Sequence, residues 1–173
     1  MNSRLLWGAV MAALLSACAS VPDAPSTLSG RLAVSVAASG ASPARGFNAA
    51  FDLVGDAQAG RLDLSTPLGP RLGTASWTPG EAVLDDGRGT RRYADLSALA
   101  QDLLGEPLPL QALPDWLRGR PWPGATHVPG GNGFAQLGWA LDTSRLPDGL
   151  LVATRAAPPA VTLRVRLSPG GAS

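Results

Sequence analysis

From Leu28 onward the apolar positions alternate. In LSGRLAVSV, Leu28, Leu32, Val34 and Val36 share one face, the period of two that marks a half-buried β-strand. GFNAAFDLV groups Phe47, Ala49, Phe51 and Leu53, and GRLDLST groups Leu62 and Leu64. GTASWTPGEAVLDDGRGTRRYA continues as short strands broken at Pro79-Gly80 and Asp86-Gly87, both strong turn signals. Six short strands joined by tight turns describe an antiparallel meander. One connection is odd. STPLGPRLG, Ser65 to Gly73, is punctuated by prolines and glycines, yet Leu68 stands at its tip between Pro67 and Gly69, where a polar turn residue is expected.

The period then changes. ADLSALAQDLLGEP offers Asp95 as an N-cap, apolar residues at Leu96, Leu99, Ala100 and Leu103, and Gly105 with Pro107 as a stop, which predicts a short amphipathic helix. LPLQALPDWLRGRPWPG predicts a second, shorter one, with Pro114 in its first turn and Gly119 at its end. Strands resume at Thr126 to Val128, Phe134 to Leu141, Leu150 to Thr154 and Val161 to Leu167. Strands, helices and strands again indicate an α+β domain in which a curved, barrel-like antiparallel sheet wraps around the helices.

The N-terminus sets the compartment. MNSRLLWGAVMAALLSAC has one early positive residue, Arg4, and an apolar run too short for a bilayer, which needs roughly 20 residues. It has the proportions of a secretory signal peptide. Leu15-Ser16-Ala17-Cys18 matches a bacterial lipobox, so residues 1–17 are expected to be removed and Cys18 to be lipidated. Cys18 is the single cysteine, which leaves no intrachain disulfide and no thiolate metal site. Ala19, where an aspartate tends to mean retention in the inner membrane, resembles an outer-membrane sorting signal. Residues 18–27 read as the lipidated cysteine and a Pro/Ser/Ala tether that reaches about 30 Å when extended. Residues 28–173 form one domain.

Without Arg4 the chain carries 13 arginines against 13 acidic residues. That balance argues against nucleic acid as a partner. The supply of chemistry is thin. There is one histidine, His127, with no HExxH pattern and no Cys/His cluster, no GxSxG elbow and no phosphate-loop glycine pattern. Neither a metal, a cofactor nor an enzymatic activity is expected. An enzyme would need Asp or Ser neighbours gathered around His127. Aliphatic surface is plentiful, and where strands and helices leave the interior unfilled it would enclose a pocket suited to acyl chains. Leu32, Val34, Phe47, Phe51, Leu99, Leu103 and Trp116 have the facing and size to line it, and each would serve equally in a filled core.

LSGRLAVSV, LDLSTPLGPRLGTASW, LPLQALPDWLRGRPWPG and GFAQLGWAL, in that order behind a lipobox, resemble the LolB family of outer-membrane lipoprotein receptors over about Leu28 to Leu167. The most specific stretches are Gly30-Arg31-Leu32, Pro67-Leu68-Gly69 and Trp116-Leu117-Arg118-Gly119. The resemblance implies an incomplete, unclosed antiparallel β-barrel of LolA/LolB type around short helices, with a hydrophobic cavity. It also implies a monomeric, non-enzymatic receptor, lipid-anchored in the outer membrane and facing the periplasm. Such a receptor takes acylated lipoproteins from the periplasmic carrier LolA and inserts them into outer-membrane lipid, with Leu68 as the membrane-inserting residue. Composition alone leaves Leu68 free to fold back over the core instead. A lipoprotein of the same fold that binds another lipid, or scaffolds the envelope, is the alternative.

Overall fold

The computed structural model describes residues 27–104 and 108–169. Eleven strands form a single, wholly antiparallel sheet in the order β6-β5-β4-β3-β2-β1-β11-β10-β9-β8-β7. The meander expected from the alternation is present as β1 (Thr27–Val36), β2 (Arg45–Gly55), β3 (Gly60–Ser65), β4 (Arg71–Thr78), β5 (Glu81–Asp85) and β6 (Thr90–Tyr93). The second run comprises β7 (His127–Gly130), β8 (Gly133–Gln136), β9 (Trp139–Asp142), β10 (Leu150–Arg155) and β11 (Val161–Leu167). Its last strand joins β1 side by side, with Gly30 opposite Leu167 and Val36 opposite Val161.

Chemistry marks the two edges. β6 carries Arg91 and Arg92, and β7 contains Pro129, which has no N–H to offer a neighbour. Among the described residues β6 and β7 do not pair, so the sheet is unclosed. The chain crosses from one edge to the other through α1 (Leu96–Leu104) and α2 (Leu113–Leu117). Alternate residues of β1, β2, β3, β4, β5, β8, β9, β10 and β11 join the buried helix residues in one core. Each Leu, Val or Phe buried there contributes roughly 1.5–3 kcal/mol. Helical content is small, and the architecture is mostly sheet.

Local chemistry explains the elements. Asp95 caps α1, its Oδ1 accepting the Ala98 N–H at 2.8 Å. All of α2 is buried, and Gly119 just beyond it takes φ +75°, a conformation open to glycine. Gly30 lies where a Cβ would fall 2.2 Å from the Arg166 carbonyl oxygen, so β11 approaches β1 there only because the side chain is absent.

One expectation is corrected. The segment Phe134–Leu141, read as a continuous strand, is the hairpin β8–β9, turning at Leu137 (φ 54°) and Gly138 (φ 78°). Two positive φ values are the geometry of a type I′ turn, whose usual signature is Asn-Gly or Asp-Gly. Leucine in the first of these positions hid it.

Candidate functional site

A cavity of about 380 Å³ opens between the sheet and the helices. The sheet contributes Leu32 and Val34 from β1, Phe47 from β2, Leu62 and Leu64 from β3, and Ala75, Leu84 and Leu163 from β4, β5 and β11. The opposite wall consists of Leu99 and Ala100 from α1, Leu113 and Trp116 from α2, and Leu108, Pro109 and Leu110 between the helices. Phe47, Leu64, Pro109 and Leu110 are half-buried and Leu72 is 45 % exposed, so these residues form the rim. The lining is aliphatic apart from the two aromatic rings, Gly73 and one acid.

That acid is Asp86, and it does not compromise the lining. It accepts the Arg88 and Gly89 N–H groups at 2.9 and 3.2 Å and pairs with Arg91 at 3.3 Å. The Arg88 amide, followed by the Gly89 amide and the Arg91 and Arg88 charges, holds its carboxyl below the usual aspartate range. The carboxylate is therefore bound to its own turn at the rim.

Trp116 is fixed from behind. Its Nε1 donates to Gln136 Oε1 at 2.8 Å, and the same oxygen accepts the Trp122 N–H at 3.0 Å. Gln136 Nε2 donates to the Trp122 and Ala125 carbonyls, both at 2.8 Å. A glutamine that is 3 % exposed thus uses both amide hydrogens and both lone pairs, and the apolar wall around it carries no unsatisfied amide. Trp139 packs on Trp116 with ring centroids 6.3 Å apart. The rest of the Trp116-Leu117-Arg118-Gly119 stretch ends the helix: Arg118 Nη1 donates to the Pro114 carbonyl at 2.7 Å, and Nη2 reaches the Gly55 carbonyl at 3.4 Å.

The outer side of α1 is held by polar contacts. Tyr93 Oη donates to Asp102 Oδ2 at 2.5 Å, and Arg91 Nη1 donates to the same oxygen at 2.6 Å. Burial, then the hydrogen bond to Asp102, raises the Tyr93 phenol above its ordinary value, which keeps it a donor.

The loop after β3 stands beside the rim residues Leu64 and Leu72. The Gly69 N–H donates to the Thr66 carbonyl at 3.0 Å, and the Thr66 N–H to the Pro70 carbonyl at 2.8 Å. Pro67 therefore occupies the second position of a β-turn and Leu68 the third. Gly69 takes φ +119° with nothing within 4 Å of a notional Cβ, so backbone conformation alone calls for glycine there. Leu68 is 95 % exposed and points away from the core.

Of the residues expected at a cavity, Leu32, Val34, Phe47, Leu99 and Trp116 line it. Phe51 does not. It is 2 % exposed, lies opposite Gly30 and Leu64 on the adjacent strands, and belongs to the filled part of the core. The side chain of Leu103 is outside the described residues, as are Cys18 and Ala19. Sequence reasoning missed Leu72, which falls out of phase at a β-bulge: Leu64 pairs with Gly73 and Ser65 with Arg71, leaving Leu72 turned to the cavity. It also missed Leu108 and Leu110, which sit in a connection without period. Leu62, Leu64, Leu84 and Leu163 were within reach of the alternation. His127 is exposed on β7 with its ring edge-on to Phe134, away from the cavity lining. Among the described residues no group of three or more metal-ligating side chains gathers.

The family described as outer membrane lipoprotein LolB matches residues 26–166 of this chain. An outer-membrane lipoprotein LolB from Bordetella petrii is 36 % identical over 169 residues, covering 86 % of this chain and 83 % of the relative. The Bordetella pertussis protein of that name is 34 % identical over 152 residues, covering 79 % and 75 %. That of Neisseria meningitidis is 33 % identical over 143 residues, covering 74 % and 70 %.

Proposed function

This chain belongs to the LolB family of outer-membrane lipoproteins, and from that premise we propose that it is the terminal receptor of the lipoprotein localisation pathway. In this reading Cys18 is acylated and Ala19 directs the protein to the outer membrane, where the domain faces the periplasm on a short tether. It accepts acylated lipoproteins from the carrier LolA into the apolar cavity and releases them into outer-membrane lipid. It does so as a monomer, in an open barrel of LolA/LolB type, and without catalysis.

One observation carries the reading: the hollow, aliphatic cavity of about 380 Å³ whose rim adjoins a turn presenting Leu68 to solvent. Acyl chains resist exposure to water at about 0.8 kcal/mol per CH₂. A carrier and a receptor that both offer apolar pockets let the chains pass between them with no water-exposed stage. Transfer then needs only that the receptor pocket be somewhat more favourable, with no nucleotide hydrolysis. The bilayer is more favourable still. Leu68 would wedge into it from a turn that Pro67 and Gly69 shape. A hollow interior supports lipid binding over a scaffolding role, for which a filled barrel would serve.

Depletion of this protein in its host, followed by fractionation of other lipoproteins, tests the reading. They are expected to accumulate on the periplasmic carrier and to be lost from the outer membrane. Normal outer-membrane arrival without such accumulation overturns it.

A further inference from the structure

Most arginines of the described domain are accounted for locally. Arg61 pairs with Asp63, Arg91 with Asp86 and Asp102, Arg92 with Glu81, Arg120 with Asp115, and Arg145 with Asp148. Arg118 and Arg155 donate to backbone carbonyls. Arg31, Arg71, Arg164 and Arg166 are exposed and form no ion pair among the described residues, and strand register brings these four together.

Arg71 pairs with Ser65, Ser65 with Ala50, Ala50 with Arg31, and Arg31 with Arg166. These residues form one row across five strands. Residues paired across an antiparallel ladder share a face, and this row lies opposite the core, because Leu32, Phe51 and Leu64 point inward. Arg164 lies in the neighbouring outward row, paired with Ala33, which pairs in turn with Asn48. At about 4.8 Å per strand, Arg71 and Arg31 are roughly 14 Å apart. Five acids on the strands share this outer surface. Asp63 is occupied by Arg61 and Thr74, Asp142 by Ser144 and Glu81 by Arg92, while Asp52 and Asp85 stand with Asp63 in the row next to that of Arg31. The two rows that carry the four arginines hold one acid, Asp142, so the positive charge is concentrated there on a chain whose overall charge is close to zero.

Two further observations say what this surface meets. Arg71 is three residues beyond Leu68 on the same hairpin, and Arg31 lies four residues into β1, the strand that begins nine residues after Cys18. The face is therefore adjacent both to the exposed apolar tip and to the segment leading from the lipidation site. We propose that the outer face bearing Arg31, Arg71, Arg164 and Arg166 docks on a bilayer surface of anionic lipid headgroups. Guanidinium forks suit phosphate oxygens, and several together give a contact that salt screens. Docking here lays the sheet against the membrane at the Leu68 end. The inference rests on the membrane anchoring in the proposed function and not on lipoprotein transfer.

The test uses the acylated full-length protein in vesicles, with neither client nor carrier present. Asn48→Cys, an exposed position in the Arg164 row, carries a fluorophore, and the vesicles carry a headgroup-attached quencher. Phosphatidylethanolamine vesicles with roughly 30 % phosphatidylglycerol are compared with vesicles lacking the anionic lipid. Quenching is expected to be at least about fivefold stronger with phosphatidylglycerol, and to collapse as salt is raised to about 0.5 M. Changing all four arginines to glutamine should abolish the difference, whereas changing them to lysine should keep it. The lysine variant guards against loss of folding. Equal quenching on both vesicles, or a glutamine variant indistinguishable from the wild type, overturns the proposal. Shielding of these arginines by an acidic protein but not by vesicles would reassign the face to that protein and overturn it too. No client moves in this assay, so its outcome is independent of whether transfer itself occurs.

Discussion

Gln136 on β8 accepts the indole N–H of Trp116 on α2 at 2.8 Å, and this bond ties the wall of the cavity to the far edge of the sheet. β7 is the edge strand of the sheet and β8 lies next to it. The glutamine binds them to α2 and to the 122–125 segment at once. A cavity beneath a short helix needs such a brace, because the helix cannot gain full packing from the side that is hollow.

Gln136→Leu removes the brace at similar volume. It leaves the Trp116 and Trp122 N–H groups and the Trp122 and Ala125 carbonyls without their partner. An unsatisfied buried group costs about 1–3 kcal/mol and the losses do not add fully, so a loss of about 3 kcal/mol is expected. Urea unfolding should show a lower midpoint at unchanged slope. A midpoint equal to that of the wild type would remove the glutamine from the account of the cavity wall.

On the proposed function, Leu68→Glu should separate acceptance from delivery. Leu68 is 95 % exposed, so the change should alter stability by less than about 0.5 kcal/mol. A charge at the tip opposes insertion into hydrocarbon. Loading from the carrier is expected to persist while delivery into vesicles falls by about tenfold or more. Unimpaired delivery would sink the assignment of Leu68 as the wedge.

Ala75→Phe fills the cavity from β4. Ala75 lines it and is 5 % exposed, so the new ring has to enter the void or displace neighbouring side chains. With about 380 Å³ available, the overpacking penalty of about 1–3 kcal/mol should be largely avoided. Binding of a fluorescent fatty acid, read by titration, should weaken by about tenfold while the thermal midpoint holds or rises. Binding unchanged in a folded variant would place the acyl site elsewhere.

Acid should unfold the domain through identifiable carboxylates. The Arg61 hydrogen bond, with a further one from Thr74, holds the Asp63 carboxyl below its ordinary value. The Ala59 and Gln58 amides do the same for Asp56, and the Ser144 hydroxyl and amide do so for Asp142. A depressed folded-state value contributes stability that is present above the unfolded aspartate range, near pH 4, and is lost as pH falls through the folded value. Asp63→Asn should therefore lower stability at pH 7 by about 0.5–1 kcal/mol, in keeping with a pair that is partly exposed. The difference from the wild type should shrink as pH falls through the folded value. An undiminished difference in acid would locate the effect outside this ionisation.

The motifs that carried the resemblance turn out to have separate physical reasons. Gly30 permits the close approach of β11, Pro67 and Gly69 build the turn under Leu68, and Gly119 ends α2. Each needs a residue type that local geometry dictates, which is why short stretches were informative. The β8–β9 hairpin was not legible, because its turn uses Leu137 where the usual signal is a polar residue.

Alternation, turn residues and a capped helix were enough to define the strands from β1 to β6, the two helices, and an inner face that includes Leu32, Val34 and Phe47. These are matters of local backbone preference and period, and the chain carries them in every few residues. Whether that inner face was filled or hollow depended on how far α1 and α2 stand from the sheet, which no local pattern encodes. The separation follows from bulky contacts such as Trp116 on Trp139 and from the Gln136 brace, between residues distant in sequence. The same holds for Phe51, inward by pattern yet packed over Gly30, and for Leu72, outward by count yet turned inward at a bulge. Long-range packing, acting across strands that meet only in the fold, made the cavity.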